Sequence, residues 1–293
     1  MVEVATSSNG AGVKLDVCRA CYFVWFDPSE FEQLPQLQQP APEPEFPEKA
    51  REALAIAKAQ AIAQQAQPSP GAEAPDEFWK YLPAILGMPV EYDQPSFGQI
   101  PWMTWAITAF IVAFSIRAFA NLEQAVLTYG LIPAQAWRHG GLTFLTSFLL
   151  HGGYFHLIGN MYFLLVLGDN VEDYVGKWRF LLLILLAVLV GDVAHITWDP
   201  RPEIPVIGAS GGISGIIVFY ALKYPRAKLG YLFRVMVYFR WIRMPAYVMG
   251  IFWVVTQLLG AAQQIAGATN VSSLAHLGGA AVGFAFWLVY RKN

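Results

Sequence analysis

Two short motifs in the carboxyl-terminal part of the chain each combine a chemically active side chain with glycine. They are GASG at residues 208–211 and AHLGG at residues 275–279. A serine hydroxyl is a weak nucleophile that needs a positioned base, and histidine is the commonest side chain in that role. The motifs therefore predict acyl-transfer chemistry with Ser210 as nucleophile and His276 as base. No carboxylate lies near His276 in the sequence, so we expect a dyad rather than a triad.

Glycines recur four residues apart in both motifs. Gly211 is followed by Gly215, and Gly279 by Gly283. On membrane helices this spacing forms a small-residue face that lets two helices approach closely. Two such faces would bring the serine and the histidine within hydrogen-bond distance. The alternative is that both motifs serve helix packing alone, with the hydroxyls and the imidazole bonded to backbone carbonyls.

Ser214 is an alternative nucleophile. It lies in GISG at residues 212–215, which repeats the short pattern around Ser210. We favour Ser210 because it lies nearer the start of the apolar segment, where a helix amino terminus leaves backbone N–H groups free to bind an oxyanion. Gly208 and Gly211 flank Ser210 and allow another backbone to approach it.

A third motif, HGGYFHLIGN at residues 151–160, supplies hydrogen-bond donors. His156 and Asn160 are four residues apart, which places them on one helix face. Both can donate to an oxyanion. His151 is expected to brace the site or the preceding loop.

Two other clusters offer rival chemistry. Histidines 151, 156 and 276 could bind zinc, but no His-Glu-x-x-His spacing or accompanying acidic residue occurs, so we expect no metal and no cofactor. Asp192 and His195 are three apart and could activate a serine. We favour the simpler interpretation of a self-satisfied polar pair near the outer interface.

The composition is typical of a membrane protein. Of the 293 residues, 56% are hydrophobic and 14% are charged, with a mean hydropathy of +0.41. Soluble domains carry about 25% charged residues. A net charge of -2 provides no basic surface for nucleic acid. Two cysteines make no disulfide framework, and residues 1–30 lack the apolar core of a cleaved signal peptide.

The apolar segments predict an all-α polytopic membrane protein with six spanning helices. A span needs about 20 mainly apolar residues, because a helix rises about 1.5 Å per residue through a core about 30 Å thick. Residues 135–153 are too polar and glycine-rich to span, and we expect them to form a partly embedded hairpin on the outer side. The predicted spans are residues 101–119, 154–169, 179–197, 207–222, 244–262 and 274–290.

Basic residues predict the orientation. The connection at 223–243 carries six of them and should be cytoplasmic. Six spans then place both termini in the cytoplasm and the polar motifs towards the outside. We expect a multi-pass protein of the cell inner or plasma membrane.

The first hundred residues precede the predicted spans in three parts. Residues 1–36 include a Cys18-x-x-Cys21 knuckle that resembles the second half of a small zinc ribbon. Structural zinc takes four ligands, so the first half lies upstream, is supplied in trans or has been lost, and we expect no bound zinc. Residues 37–75 are a Pro/Ala-rich linker with a helical stretch, and residues 76–100 form a juxtamembrane segment.

Together these motifs resemble the rhomboid family of intramembrane serine proteases over residues 100–290. The resemblance implies that spans two, four and six surround a water-filled cavity that opens outward. It implies Ser210 as nucleophile, His276 as base, and an oxyanion hole made by His156, Asn160 and the Ser210 N–H. The motifs that carry the resemblance are Trp137-Arg138, His156-xxx-Asn160, Gly208-x-Ser210-Gly211, Ala275-His276-xx-Gly279, and the trio Gly168, Glu172 and Gly176.

One position departs from the family pattern. Some members carry an aromatic residue four positions after the nucleophile, packed on the base, where this chain has Ser214. We therefore expect His276 to be held less rigidly or by another ring. The resemblance implies a serine endopeptidase that cleaves transmembrane segments of other proteins in the lipid bilayer near the outer face. The alternatives are a catalytically inactive relative that binds membrane clients and, less favoured, a transporter.

Overall fold

The computed structural model describes residues 2–8, 11–17, 24–25, 58, 75, 77–92, 98, 100–235 and 238–291. The chain forms two compact units, Met1–Pro68 and Ser69–Asn293. The candidate site lies entirely in the second unit.

The first unit contains an antiparallel sheet. Its strands are β1 (Val2–Ser8), β2 (Ala11–Val17) and β3 (Val24–Trp25), in the order β1-β2-β3. Val2 pairs with Val17. The predicted knuckle cysteines, Cys18 and Cys21, and the helical stretch of the 37–75 linker lie outside the described residues, apart from a helical Lys58.

The second unit is mainly helical. Three short 3-10 turns, Phe78–Lys80, Pro133–Gln135 and Arg138–Gly141, accompany the helices. The helices are α1 (Tyr81–Ile85), α2 (Trp102–Phe119), α3 (Leu122–Tyr129), α4 (Thr143–Leu149), α5 (Tyr154–Val175), α6 (Lys177–Trp198), α7 (Ser210–Lys223), α8 (Ala246–Ile265) and α9 (Ser273–Tyr290).

Among the described residues, four helices are long and apolar enough to cross a membrane: α2, α6, α8 and α9. α7 is apolar but has only 14 residues. α5 has 22 residues but carries acidic side chains at Asp169, Glu172 and Asp173 near its carboxyl end. The predicted spans at 154–169 and 207–222 correspond to α5 and α7.

The all-α prediction is wrong for the basic connection. Residues 223–243 were expected to be a loop, but strands β5 (Lys228–Val235) and β6 (Tyr238–Pro245) form a hairpin there. The segment is rich in aromatic and β-branched residues, which suit a pleated strand. β4 (Val90–Glu91), from the juxtamembrane segment, extends the sheet by pairing with β5.

The segment expected to form a hairpin at 135–153 folds instead as 3-10 turns followed by α4. α3 was not predicted. Its amino terminus is capped by Asn121, whose side-chain oxygen accepts a hydrogen bond from the N–H of Gln124 at 3.3 Å.

Glycines allow α7 and α9 to touch along their backbones. A Cβ placed on Gly279 would overlap the carbonyl oxygen of Gly211, and one on Gly283 would overlap that of Gly215. Gly215 also faces α6, where a Cβ would lie 2.9 Å from that of Ala187. The two predicted glycine faces therefore meet each other in the structure.

Glu172 fastens α5 to the start of α2. Its Oε1 accepts from the N–H of Met103 at 2.9 Å, and its Oε2 accepts from the N–H and hydroxyl of Thr104 at 2.7 Å each. The carboxylate satisfies backbone donors that have no partner within the helix, and its charge suits a helix amino terminus. This contact gives Glu172 a structural role away from the site.

We predict that Gly283→Ala destabilises the protein by about 1–3 kcal/mol, the usual cost of forcing extra volume into a packed contact. Unfolding in detergent, followed by circular dichroism, measures the change. Gly159→Ala is the matched control, because a Cβ on this α5 glycine meets nothing within 4 Å. Equal stability of the two variants would contradict the close contact between α7 and α9.

Candidate active site

Ser210 and His276 lie at the amino ends of adjacent helices. Ser210 is the first residue of α7, and His276 lies in the first turn of α9. The Oγ of Ser210 is 2.8 Å from the Nε2 of His276, a normal hydrogen-bond distance. Both residues are half-buried. This geometry allows Nε2 to accept the serine proton, as activation of a serine nucleophile requires.

α8 contacts the other side of His276. Nδ1 lies 2.7 Å from the Oε1 of Gln257, and the ring centroid of Trp253 lies 6.4 Å from that of the imidazole. Sequence reasoning missed Gln257, which precedes His276 by 19 residues. The available signal was a polar amide within an apolar helix. Some family members carry an aromatic residue at the position of Ser214. Here the ring beside His276 belongs to Trp253 instead.

Gly208 brings the ring of His156 close to Ser210. Its φ of +123° lies in the region that favours glycine. A Cβ there would lie 2.9 Å from Cε1 and 3.0 Å from Nε2 of His156, and 3.8 Å from Ser210 Oγ. The Nδ1 of His156 accepts from the N–H of Gly152 at 3.2 Å. A neutral ring therefore carries its proton on Nε2, which faces Gly208.

Asn160 lies one turn after His156 on α5 and lines the same cavity. Its Nδ2 donates to the backbone carbonyl of His156 at 2.9 Å. An amide nitrogen carries two protons, so the second remains available to a bound group. The structure therefore places two donors, on His156 and Asn160, along one wall of the cavity.

His151 is fully buried and braces the loop before the nucleophile. Its Nδ1 lies 2.9 Å from the hydroxyl of Ser115 on α2, and that hydroxyl donates to the carbonyl of Leu149 at 2.8 Å. Its Nε2 accepts from the N–H of Ala209 at 3.4 Å. His151 thus acts on the backbone next to Ser210 and not on the cavity.

Ser214 is turned away from His276. Its hydroxyl donates to the backbone carbonyl of Ser210 at 2.6 Å, and its exposed fraction is 2%. Serine hydroxyls within helices commonly donate in this way to the carbonyl four residues earlier. The geometry favours Ser210 as the residue that meets the base.

Trp137 and Arg138 lie away from the cavity. Trp137 is 80% exposed and its ring centroid is 6.0 Å from that of Phe144. Arg138 donates to the carbonyl of Leu127 at 2.5 Å and also to that of Gly130. Arg138 therefore binds the carboxyl end of α3, where a cation suits the exposed carbonyls.

Asp192 and His195, the alternative pair of the sequence analysis, do not satisfy each other by hydrogen bonding. Asp192 Oδ2 and His195 Nε2, both buried, have no hydrogen-bond partner. The Nδ1 of His195 instead lies 2.8 Å from the hydroxyl of Ser272 and 3.0 Å from Nε2 of Gln264. The expectation of a self-satisfied pair is thus wrong in detail, because Gln264 on α8 and Ser272 at the start of α9 provide the partners of His195.

A charged clamp joins the two loops that lead into α7 and α9. Arg201 binds both carboxylate oxygens of Asp199, at 3.0 and 2.9 Å, and donates to the carbonyl of Thr269 at 2.9 Å. Burial alone would raise the pKa of Asp199, but hydrogen bonds from Arg201 and Gln264 outweigh it and hold that pKa well below its usual range. The carboxylate therefore stays ionised at ordinary pH.

The candidate catalytic groups open onto a cavity of about 610 Å³. Its wall includes Ser210, His276, His156 and Asn160, with apolar side chains such as Phe155 among them. Within the part of the chain that the structure describes, no three His, Cys, Asp or Glu side chains are grouped to hold a metal ion. The cavity is large enough for several residues of an extended peptide.

Comparison with known families decides the class of this helical unit. The Rhomboid domain matches residues 133–293, more than half of the chain and the whole region from the 3-10 turn at Pro133–Gln135 to α9. The chain belongs to the rhomboid family. The match includes every catalytic and oxyanion candidate.

Named rhomboids are similar over parts of the chain. The Arabidopsis thaliana RHOMBOID-like protein 12, mitochondrial, is 28% identical over 188 residues, 58% of this chain and 53% of its own length. Rhomboid protease GluP of Bacillus subtilis is 32% identical over 109 residues, 37% of this chain and 20% of its own. Mouse Rhomboid-related protein 2 is 31% identical over 107 residues, which are 36% of this chain and 35% of its own length. The chain therefore spans about half or less of these relatives.

We predict that a fluorophosphonate probe labels this rhomboid at Ser210. The hydroxyl hydrogen-bonded to His276 is the activated one, so Ser210→Ala should abolish labelling and Ser214→Ala should leave it. Mass spectrometry of the labelled peptide identifies the serine. A label on Ser214 in the unmodified protein would overturn the assignment.

Proposed function

We propose that this rhomboid is an intramembrane serine endopeptidase that cleaves transmembrane segments of other membrane proteins. The observation that carries the proposal is the 2.8 Å contact between Ser210 Oγ and His276 Nε2. Family membership supports it, because relatives include a protein named as a rhomboid protease. A protein that only binds clients needs neither a nucleophile nor a base.

The chemistry begins with attack of Ser210 Oγ on a peptide carbonyl, while His276 Nε2 takes the hydroxyl proton. The resulting tetrahedral oxyanion collapses to an acyl-enzyme, and His276 gives the proton to the departing amine. Water then attacks the ester, again losing a proton to His276, and the carboxyl product leaves as Ser210 regains its proton. Ser210 is thus the nucleophile of acylation and the leaving group of deacylation, and His276 is the general acid–base in both.

Three donors are available for the oxyanion. The N–H of Ser210 lies at a helix amino terminus, where it lacks an intrahelical acceptor. His156 Nε2–H and the free amide proton of Asn160 face the same cavity. Donors held in place before the reaction stabilise the developing charge without reorganisation.

The length of α7 supports cleavage inside the membrane below the outer face. Its 14 residues extend about 21 Å at 1.5 Å per residue, less than the hydrocarbon thickness of about 30 Å. With its carboxyl end at the inner surface, its amino end with Ser210 stops short of the outer one. We expect clients with helix-weakening Gly or Pro, because only an extended backbone exposes a carbonyl to the serine.

We also propose six spans, with α5 and α7 as the two less typical ones, and both termini in the cytoplasm. The helix ends opposite the site are basic and aromatic: Lys223 Nζ lies 3.5 Å from the ring centroid of Tyr174, and Arg179 lies 5.0 Å from that of Tyr290. Tyr174 also donates to the carbonyl of Tyr290 at 2.7 Å. Lysine and arginine favour the cytoplasmic side, and tyrosine is typical of either membrane interface.

We predict graded losses at the oxyanion donors. His156→Ala and Asn160→Ala should each lower kcat by about 10²–10³, the usual cost of one donor. The double variant should lose less than the product, because both donors act on one oxygen. Cleavage of a reconstituted transmembrane substrate measures the rates.

Ser210→Ala and His276→Ala are the reference variants, with losses of up to about 10⁶ in kcat. All variants must keep the unfolding profile of the unmodified protein. If His156→Ala and Asn160→Ala keep full activity while His276→Ala loses it, the dyad stands and the oxyanion assignment fails. If all are harmless, the inactive client-binding alternative replaces this proposal.

We predict opposite accessibility for two engineered cysteines. In a Cys18→Ser, Cys21→Ser background, Arg226→Cys should be shielded from an impermeant thiol reagent in sealed right-side-out vesicles, and Ala268→Cys should react. Both positions are exposed in the structure, so burial does not explain a difference. Reaction at 226 without reaction at 268 would reverse the topology.

A further inference from the structure

Hydrogen bonds fix the direction in which the side-chain amide of Gln257 points. Its Nε2 donates to the hydroxyl oxygen of Thr256 at 3.2 Å, and that hydroxyl donates to the carbonyl of Trp253 at 2.6 Å. Since the hydroxyl proton is already used, the Thr256 oxygen acts as the acceptor. The amide nitrogen therefore faces Thr256 and the amide oxygen faces His276.

The amide oxygen in turn determines which nitrogen of His276 carries the proton. Oε1 of Gln257 cannot donate, so the 2.7 Å contact requires a proton on Nδ1. A neutral imidazole then has its lone pair on Nε2, which lies 2.8 Å from Ser210 Oγ. The donors run in one direction, from the Ser210 hydroxyl to Nε2 and from Nδ1 to Gln257.

We propose that Gln257 is a positioning residue that holds His276 in the tautomer able to accept the serine proton; this inference rests on the proposed function. In the alternative tautomer the proton sits on Nε2 and blocks transfer from Ser210. Soluble serine proteases assign this task to a buried aspartate, whose replacement by asparagine lowers kcat by about 10⁴ through the wrong tautomer. Here a neutral amide takes the place of the carboxylate.

The position of Gln257 on α8 supports this role. Trp253 lies four residues earlier on the same helix face and places its ring beside the imidazole. α8 therefore contacts both an edge and a face of the His276 ring, whereas His276 itself belongs to α9. The other titratable or charged side chains of the cavity wall are His156, Asp192, His195 and Arg201. Gln257 is the partner that the structure records for Nδ1 of His276.

The first test is spectroscopic and needs no substrate. With ¹⁵N-labelled histidine, the ring-nitrogen shifts of His276, assigned by loss in His276→Ala, report the tautomer. We expect the Nδ1–H form in the unmodified protein and a mixture with the Nε2–H form in Gln257→Met, which keeps the size of the side chain but removes the acceptor. An unchanged Nδ1–H form in Gln257→Met would overturn the proposal.

The second test is kinetic. Gln257→Met should lower kcat by about 10–100-fold, the loss that is typical when a metal-bound histidine loses its orienting partner, with KM nearly unchanged. Gln263→Met is the matched control, since Gln263 is an exposed residue of the same helix, and it should keep full kcat. Equal kcat in the two variants would contradict the proposal.

Gln257→Glu separates positioning from packing. A carboxylate accepts the same Nδ1–H and also favours the imidazolium, so this variant should keep turnover well above that of Gln257→Met. The acid limb of its kcat/KM profile should move to higher pH, because protonated His276 cannot accept the serine proton. An unmoved limb counts against the proposal. If the unmodified protein cleaves nothing, the proposed function fails, whereas the tautomer measurement still decides the contact.

Discussion

Contact between the backbones of α7 and α9 sets the distance on which the candidate chemistry depends. The carbonyls of Gly211 and Gly215 on one helix meet Gly279 and Gly283 on the other, where neither of the latter two has room for a Cβ. Each helix carries one catalytic candidate close to its amino end, so the separation of the axes fixes the separation of the side chains. Lipid offers little hydrophobic driving force between helices, and close packing of small residues takes its place.

The loops that precede α7 and α9 further restrict how the two helices lie relative to each other. Arg201 ties Asp199, at the end of α6, to Thr269 in the loop that precedes α9, and Gln264 joins Asp199 to the backbone N–H of Leu274. Asp199 is buried and Arg201 partly exposed, so removing Arg201 would leave the Asp199 carboxylate without its charged partner. The network therefore links the two loops that lead into α7 and α9, and Arg201 itself lies in the cavity wall.

Local patterns made much of this arrangement predictable. Serine, histidine and the glycine spacings lie in short motifs, and each predicted span corresponds to a helix. The hairpin of β5 and β6 was missed because its basic residues indicated a loop and its strand partner, Val90, lies far away in sequence. Gln257 was missed for a related reason: it is one of three glutamines in an apolar helix, and its contact with His276 shows only once α8 lies beside α9.

The choice of an amide beside the base follows from the surroundings. A carboxylate at position 257 would favour the imidazolium more strongly, but an ionised side chain within a span is costly unless it is paired. The cation of the cavity wall, Arg201, is already bound to Asp199. A neutral amide orients the imidazole through one hydrogen bond and adds no charge to the resting site. In the proposed mechanism, stabilisation of the oxyanion then falls mainly to the donors on α5 and at the start of α7.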